Sequence, residues 1–178
     1  MTYEMRNRRN WRASRTDKSS KEYRHFRLLE KMFYYYHRIK RAVDEIKQER
    51  GYYQSTGKTG GGSSNHAFVS DPTAVMAIKH SAPVTKVIIN AEKIDEEVIA
   101  NPEAWLTVVE QTMLFFDEEE QIGELMRRRF FQNESCHRTC IELGISEDKY
   151  YRLLKIGIAY ARECAIQLGL IKVFDIEL

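Results

Sequence analysis

The chain has 178 residues, 43% hydrophobic and 30% charged, enough for one ordinary domain or a small domain with helical arms and too apolar for a chain disordered throughout. No apolar run approaches the roughly eighteen residues of a membrane span, and the start of the chain lacks a signal peptide's apolar segment, so no membrane partner and a cytoplasmic location are expected. The net charge of +2 conceals a division: residues 1–50 carry 15 Lys+Arg against 7 Asp+Glu, and the remainder 13 against 19, which points to a polyanion, most often nucleic acid, at the basic end.

Residues 1–21 have no hydrophobic period and read as a basic, flexible tail. Arg6, Arg8, Arg9, Arg12 and Arg15 surround Trp11 there, a composition suited to contact with nucleic acid or polymerase. Residues 22–53 then follow a helical period. Phe26, Leu29, Phe33, Tyr36, Ile39/Lys40, Val43 and Ile46 form one apolar stripe on a basic helix, and a second copy of the chain is one candidate to cover it.

Residues 54–69 are rich in Gly and Ser and read as a linker. Gly57-Lys58-Thr59 falls at its start, but five residues separate it from Gly51. A phosphate-binding loop requires four, together with a buried strand leading into it, so a nucleotide site is not expected.

Residues 70–116 read as a helical connector. Ser70-Asp71-Pro72 is a helix start, Pro83 interrupts the pattern, VTKVIINAEKIDEEVIA resumes it, and Asn101-Pro102 opens a further helix carrying Trp105, Val108, Val109, Thr112 and Phe116. VTKVIIN is the one competing strand pattern and looks too isolated to build a sheet. Asp117, with Glu120 three residues later, reads as a capping-box start for a helix bearing Ile122, Leu125, Met126 and Phe130 and ending in Arg127-Arg128-Arg129, where cations suit the helix dipole.

Residues 117–178 hold the most informative segment, SCHRTCIELGISEDKYYRLLKIGIAYARECAIQLG. A short helix should end at Leu143, Gly144 should turn the chain, and Ser146 should cap a second helix from Glu147. In a helix-turn-helix the residue four before the glycine is small, here Cys140, and Ile145, Tyr150 and Leu153 are expected to be buried. The second helix then offers Ser146, Glu147, Lys149, Tyr151, Arg152 and Lys155 to a major groove, and Arg138 is expected to contact the DNA as well.

The order of these parts, with SDPTA from Ser70, RRRFF from Arg127 and LGISEDKYYRLLKIGIAYARE from Leu143, resembles the RinA/ArpU group of phage and prophage transcriptional regulators. The C-terminal part is similar to the domain with which bacterial sigma factors read the promoter −35 element. The resemblance implies an all-α fold made of a long N-terminal helix, a Gly/Ser linker and a C-terminal sigma-region-4-like helix-turn-helix. It also implies activation of late packaging and structural genes at double-stranded promoter DNA, beside host RNA polymerase or its sigma factor. The insert from Glu92 to Pro102 and the tail before residue 22 depart from the family's pattern.

Other chemistry is weaker. Cys136, His137 and Cys140 supply three soft ligands where structural zinc takes four, and the histidines lack a nucleophile or carboxylate pair at catalytic spacing, so neither an enzyme, a cofactor nor a metal is expected. The three cysteines form no disulfide pattern, which agrees with a reducing compartment. Two alternatives remain: a phage small-terminase-like packaging protein, and a polymerase- or sigma-binding protein that does not read DNA.

Overall fold

The computed structural model describes residues 21–55, 82–89 and 97–172, the side chains of 51–55 and of Glu120 excepted. The expected basic tail, nearly all of the Gly/Ser segment with Lys58 and Thr59, and the helix start at Ser70 lie outside those residues. The described chain is mostly helical, with little strand. It divides into two compact units, residues 1–34 with 108–178 and residues 35–107, so the division falls inside two of its helices.

Helix α1 spans Lys21–Ser55, within two residues of the expected limits. Leu29, Phe33, Ile39 and Val43 of its stripe are buried, and Phe26, Tyr36 and Ile46 are half-buried. The side of α1 that carries the stripe is thus the less exposed one, as its period requires.

In the unit of residues 35–107, the resumed helix expected over VTKVIINAEKIDEEVIA, and with it the all-helical connector over residues 70–116, is replaced by strands β1 (Lys86–Ile89) and β2 (Glu97–Ala100). They pair antiparallel, with Val87 opposite Ile99 and Ile88 opposite Val98. Val87, Ile89 and Ile99 are buried whereas Ile88 and Val98 are exposed, the period-two alternation that a half-covered hairpin needs. β-Branched residues fit that pleated surface better than they fit a helix. The pairing partner EVIA supplies what made VTKVIIN look isolated.

Asn101 closes the hairpin in the left-handed region at φ 51°, which asparagine tolerates. Its amide donates to the Thr85 carbonyl and its carbonyl accepts from the Trp105 amide. Helix α2, Pro102–Phe115, follows with Pro at its first position. Glu103 accepts hydrogen bonds from the Val84 amide at 3.1 Å and from Lys47 Nζ at 2.5 Å. This one carboxylate joins α1, the lead into β1 and α2 within the same unit.

In the other unit, the helix after α2 starts later than the capping-box reading places it. Helix α3 is Glu120–Met126, its N-cap is Glu119, and no side chain caps it. Ile122, Leu125 and Met126 are buried as expected. The Arg127–Phe131 segment continues α3 as a π turn, closed by the Gln132 amide on the Arg127 carbonyl. Helices α4 (Cys136–Leu143) and α5 (Glu147–Gln167) complete the fold.

Two glycines set the approach of these helices. A Cβ on Gly123 would run into the Phe116 backbone carbonyl, and one on Gly157 into the Met126 side chain. A methionine end can swing aside; a backbone carbonyl cannot. Gly123→Ala should therefore destabilise the fold clearly more than Gly157→Ala, although alanine gains about 1 kcal/mol of helix propensity at either site; urea unfolding of the two variants measures the difference.

Burial pushes the Glu103 carboxyl up, but the Lys47 hydrogen bond and the Val84 amide outweigh it and hold the group below its ordinary value. A lowered carboxyl pKa stabilises the fold above the unfolded value, and that contribution is lost as pH falls through the folded one. On acidification below the ordinary glutamate range, amide exchange at Val84 and Val87 should accelerate. The Glu103→Gln variant should lack this pH dependence.

Candidate nucleic-acid interface

Ser135 caps α4 by accepting from the Arg138 amide, and Ser146 caps α5 by accepting from the Lys149 amide, each at 3.3 Å. Between them Gly144 takes φ 60°, ψ 37°. Its amide donates to the Ile141 carbonyl and the Ile145 amide to the Cys140 carbonyl, which satisfies the end of α4. The limits read from sequence, Leu143, Gly144, Ser146 and Glu147, are those observed. Cys140 is buried as the helix crossing requires.

Two of the expected core positions differ. Ile145 and Leu153 are only half-buried, while Leu154, 1% exposed, takes the inward place beside Tyr150. From Tyr150 the inner row of α5 proceeds through Leu154, Gly157, Ile158 and Ala161, and four residues from Tyr150 to Leu154 hold the helical face better than three.

Of the residues expected to face DNA, Ser146, Glu147, Arg152 and Lys155 are exposed, as is Arg138; Lys149 and Tyr151 are half-buried. Tyr151 does not stand free, because it is hydrogen-bonded to Cys136, and burial, reinforced by Cys136, holds its phenol above the ordinary value. Arg138, itself exposed, lies 3.6 Å from the half-buried Glu134. The face at the start of α5 therefore carries Arg138, Lys149, Arg152 and Lys155 against Glu147 and Asp148. The basic-tail residues Arg6, Arg8, Arg9, Arg12 and Arg15 lie outside the described residues.

A buried polar cluster supports this face from behind. Arg129, 8% exposed, donates through Nη1 to the Tyr150 hydroxyl at 3.0 Å and through Nη2 to Glu30 at 2.8 Å. Glu30, 3% exposed, also accepts from Arg27 at 2.8 Å. The guanidinium lies 5.9 Å from the Tyr34 ring centre and 5.5 Å from that of Phe130, within cation–π range. Burial raises the Tyr150 phenol to about 12, against the pull of Arg129.

Sequence reading treats Arg129 as a dipole complement and passes over Glu30. A signal was present: Arg129 falls four residues after Leu125, and Glu30 falls four after Phe26 and three before Phe33. Both charges sit on apolar stripes.

Arg128 ties α3 to α4 less deeply, 2.6 Å from Glu124, 3.4 Å from Glu134 and 4.0 Å from Glu142. The Cys136 and Cys140 sulfurs are 3.9 Å apart. Burial raises both thiols, Cys140 to about 12 with Cys136 adding to the effect, so they stay protonated and unreactive at neutral pH. Among the described residues no group of three or more His, Cys, Asp or Glu is placed to hold a metal ion, and no helix is long and apolar enough to cross a membrane. Compared with known proteins, the chain matches no family model, no curated protein and no solved structure.

The cluster gives a test of what holds α5 in place. Glu30→Leu strands the Arg129 charge in the core and should cost about 3–5 kcal/mol in urea unfolding. Adding Arg129→Met removes the stranded charge and should recover much of that loss. If the double variant is as unstable as the single one, the ion pair is not what the single substitution breaks.

Proposed function

We propose that this chain is a sequence-specific DNA-binding regulator of transcription, of the phage type its sequence resembles, without enzymatic activity or a cofactor. It would act in the cytoplasm of a bacterial host, activating late packaging and structural genes at a promoter beside host RNA polymerase. One observation carries the reading: a short helix and a Ser146-capped helix meet across a left-handed Gly144, and the first turns of the second helix present Arg152 and Lys155 to solvent.

Those turns are the part of such a helix pair that enters a major groove. Arg152 and Lys155 can donate to guanine O6 and N7 or to phosphate, while Glu147 can accept from cytosine N4. Lys149 and the Arg138 side chain extend the cationic edge. The two carboxylates at the start of α5 weaken general affinity for DNA and leave recognition more dependent on particular bases.

Salt-titrated binding to a cognate promoter and to a scrambled duplex tests the assignment. Arg152→Ala should lose about 1–3 kcal/mol on the promoter and distinctly less on the scrambled DNA. Equal losses on both would mean that this helix does not read sequence, and no salt-dependent binding by the parent protein would favour a polymerase-binding role instead.

A further inference from the structure

The turn between α2 and α3 and one face of α5 form an apolar surface apart from the residues assigned to DNA. Leu114 and Phe115 are 74% and 54% exposed. Phe115 lies flat on Tyr160, ring centres 4.1 Å apart at 16°, and buried Phe116 meets Tyr160 edge-on at 5.5 Å. Ile156, one turn earlier on α5, is 49% exposed. Leu153 continues the same row into a groove of about 410 Å³ that it shares with Glu118, Glu119, Gln121 and Ile122. Aromatic and aliphatic groups exposed together in this way mark a contact surface.

The rim of that surface is acidic. Glu118 and Glu119 are exposed and enter no ion pair among the described residues. Glu163, three residues past Tyr160, is 64% exposed and only loosely paired with Arg162 at 3.8 Å. An occupant that matches it needs an aromatic or aliphatic anchor with cations on both sides.

We propose that this surface holds residues 1–20 of the same chain, with Trp11 seated against Phe115, Tyr160 and Ile156 and the neighbouring arginines facing Glu118, Glu119 and Glu163. The segment has the required chemistry: Trp11 lies between Arg8-Arg9 and Arg12, with Arg15 one step beyond. Guanidinium groups both pair with carboxylates and stack on rings. The point of attachment also suits it. The described start of α1 belongs to the same compact unit as residues 108–178, which carry Phe115, Tyr160 and Glu163.

The reach is sufficient. Ten residues separate Trp11 from Lys21 and extend to about 33–36 Å, about three times the 10–12 Å diameter of a helix with its side chains. The docking requires no DNA and stands or falls apart from the DNA reading.

The test uses the full chain with the photocrosslinking substitution Trp11→p-benzoylphenylalanine, irradiated without DNA, separated by mass and digested. Adducts within single chains to the segments around Leu114–Phe115 and Ile156–Tyr160 are expected. They should fall several-fold in 0.5 M salt, on the order of a halved Debye length, and in a chain that also carries Glu118→Lys and Glu119→Lys. Those are exposed positions, and circular dichroism confirms that the fold is kept. Adducts confined to other segments, adducts between two chains, or a yield unchanged by the charge reversals would each overturn the proposal.

Discussion

The arrangement of α5 depends on a guanidinium that has been taken out of water. Arg129 is held by Glu30, Tyr150 and the faces of two rings, and a buried charge of this kind is tolerable only when its partners are all in place. The consequence is positional: Tyr150 lies in the first turn of α5, Glu30 in the first third of α1, and Arg129 in the π turn after α3. Three segments distant in sequence must agree before the charge is satisfied. Apolar packing alone, Phe33 and Tyr34 on Phe130 at 5.0 and 4.9 Å, would allow small shifts in register; the directional hydrogen bonds narrow the choice.

The π turn has a part in this. A turn that closes five residues apart widens the helix and admits an additional residue on the inner side. Arg129 and Phe130, consecutive in sequence, are both buried, so the charge and the aromatic ring reach the same core from adjacent positions. Arg127 and Arg128 stay half-buried, where they pair with Asp117, Glu124 and Glu134. One run of three arginines thus does two kinds of work, and composition alone does not tell them apart.

Much of the helical fold and the α4–α5 corner was legible in the sequence because local chemistry sets them: Ser135 and Ser146 as caps, Gly144 at the left-handed turn, Pro102 at a helix start. The buried faces of α2 and α3 followed from periodicity in the same way. What stayed hidden depended on partners far away in the chain. VTKVIIN became a strand through EVIA, which begins seven residues after its last residue, and Leu154 rather than Leu153 turned inward because Tyr150 is anchored by Arg129. Tyr151 looked free for a groove, and its bond to Cys136 comes from a neighbouring helix. Residues whose environment is local could be read; residues whose environment is tertiary required the fold.

Gly144 differs from Gly123 and Gly157 in what it asks of the chain. A Cβ there would meet nothing within 4 Å, so its requirement is torsional and not spatial. Asparagine, which enters the left-handed region at modest cost, could stand in its place, while a β-branched residue of similar bulk could not. The corner between α4 and α5 is therefore open to variation in size and closed to variation in backbone preference, and its geometry would outlast changes in the side chains that surround it.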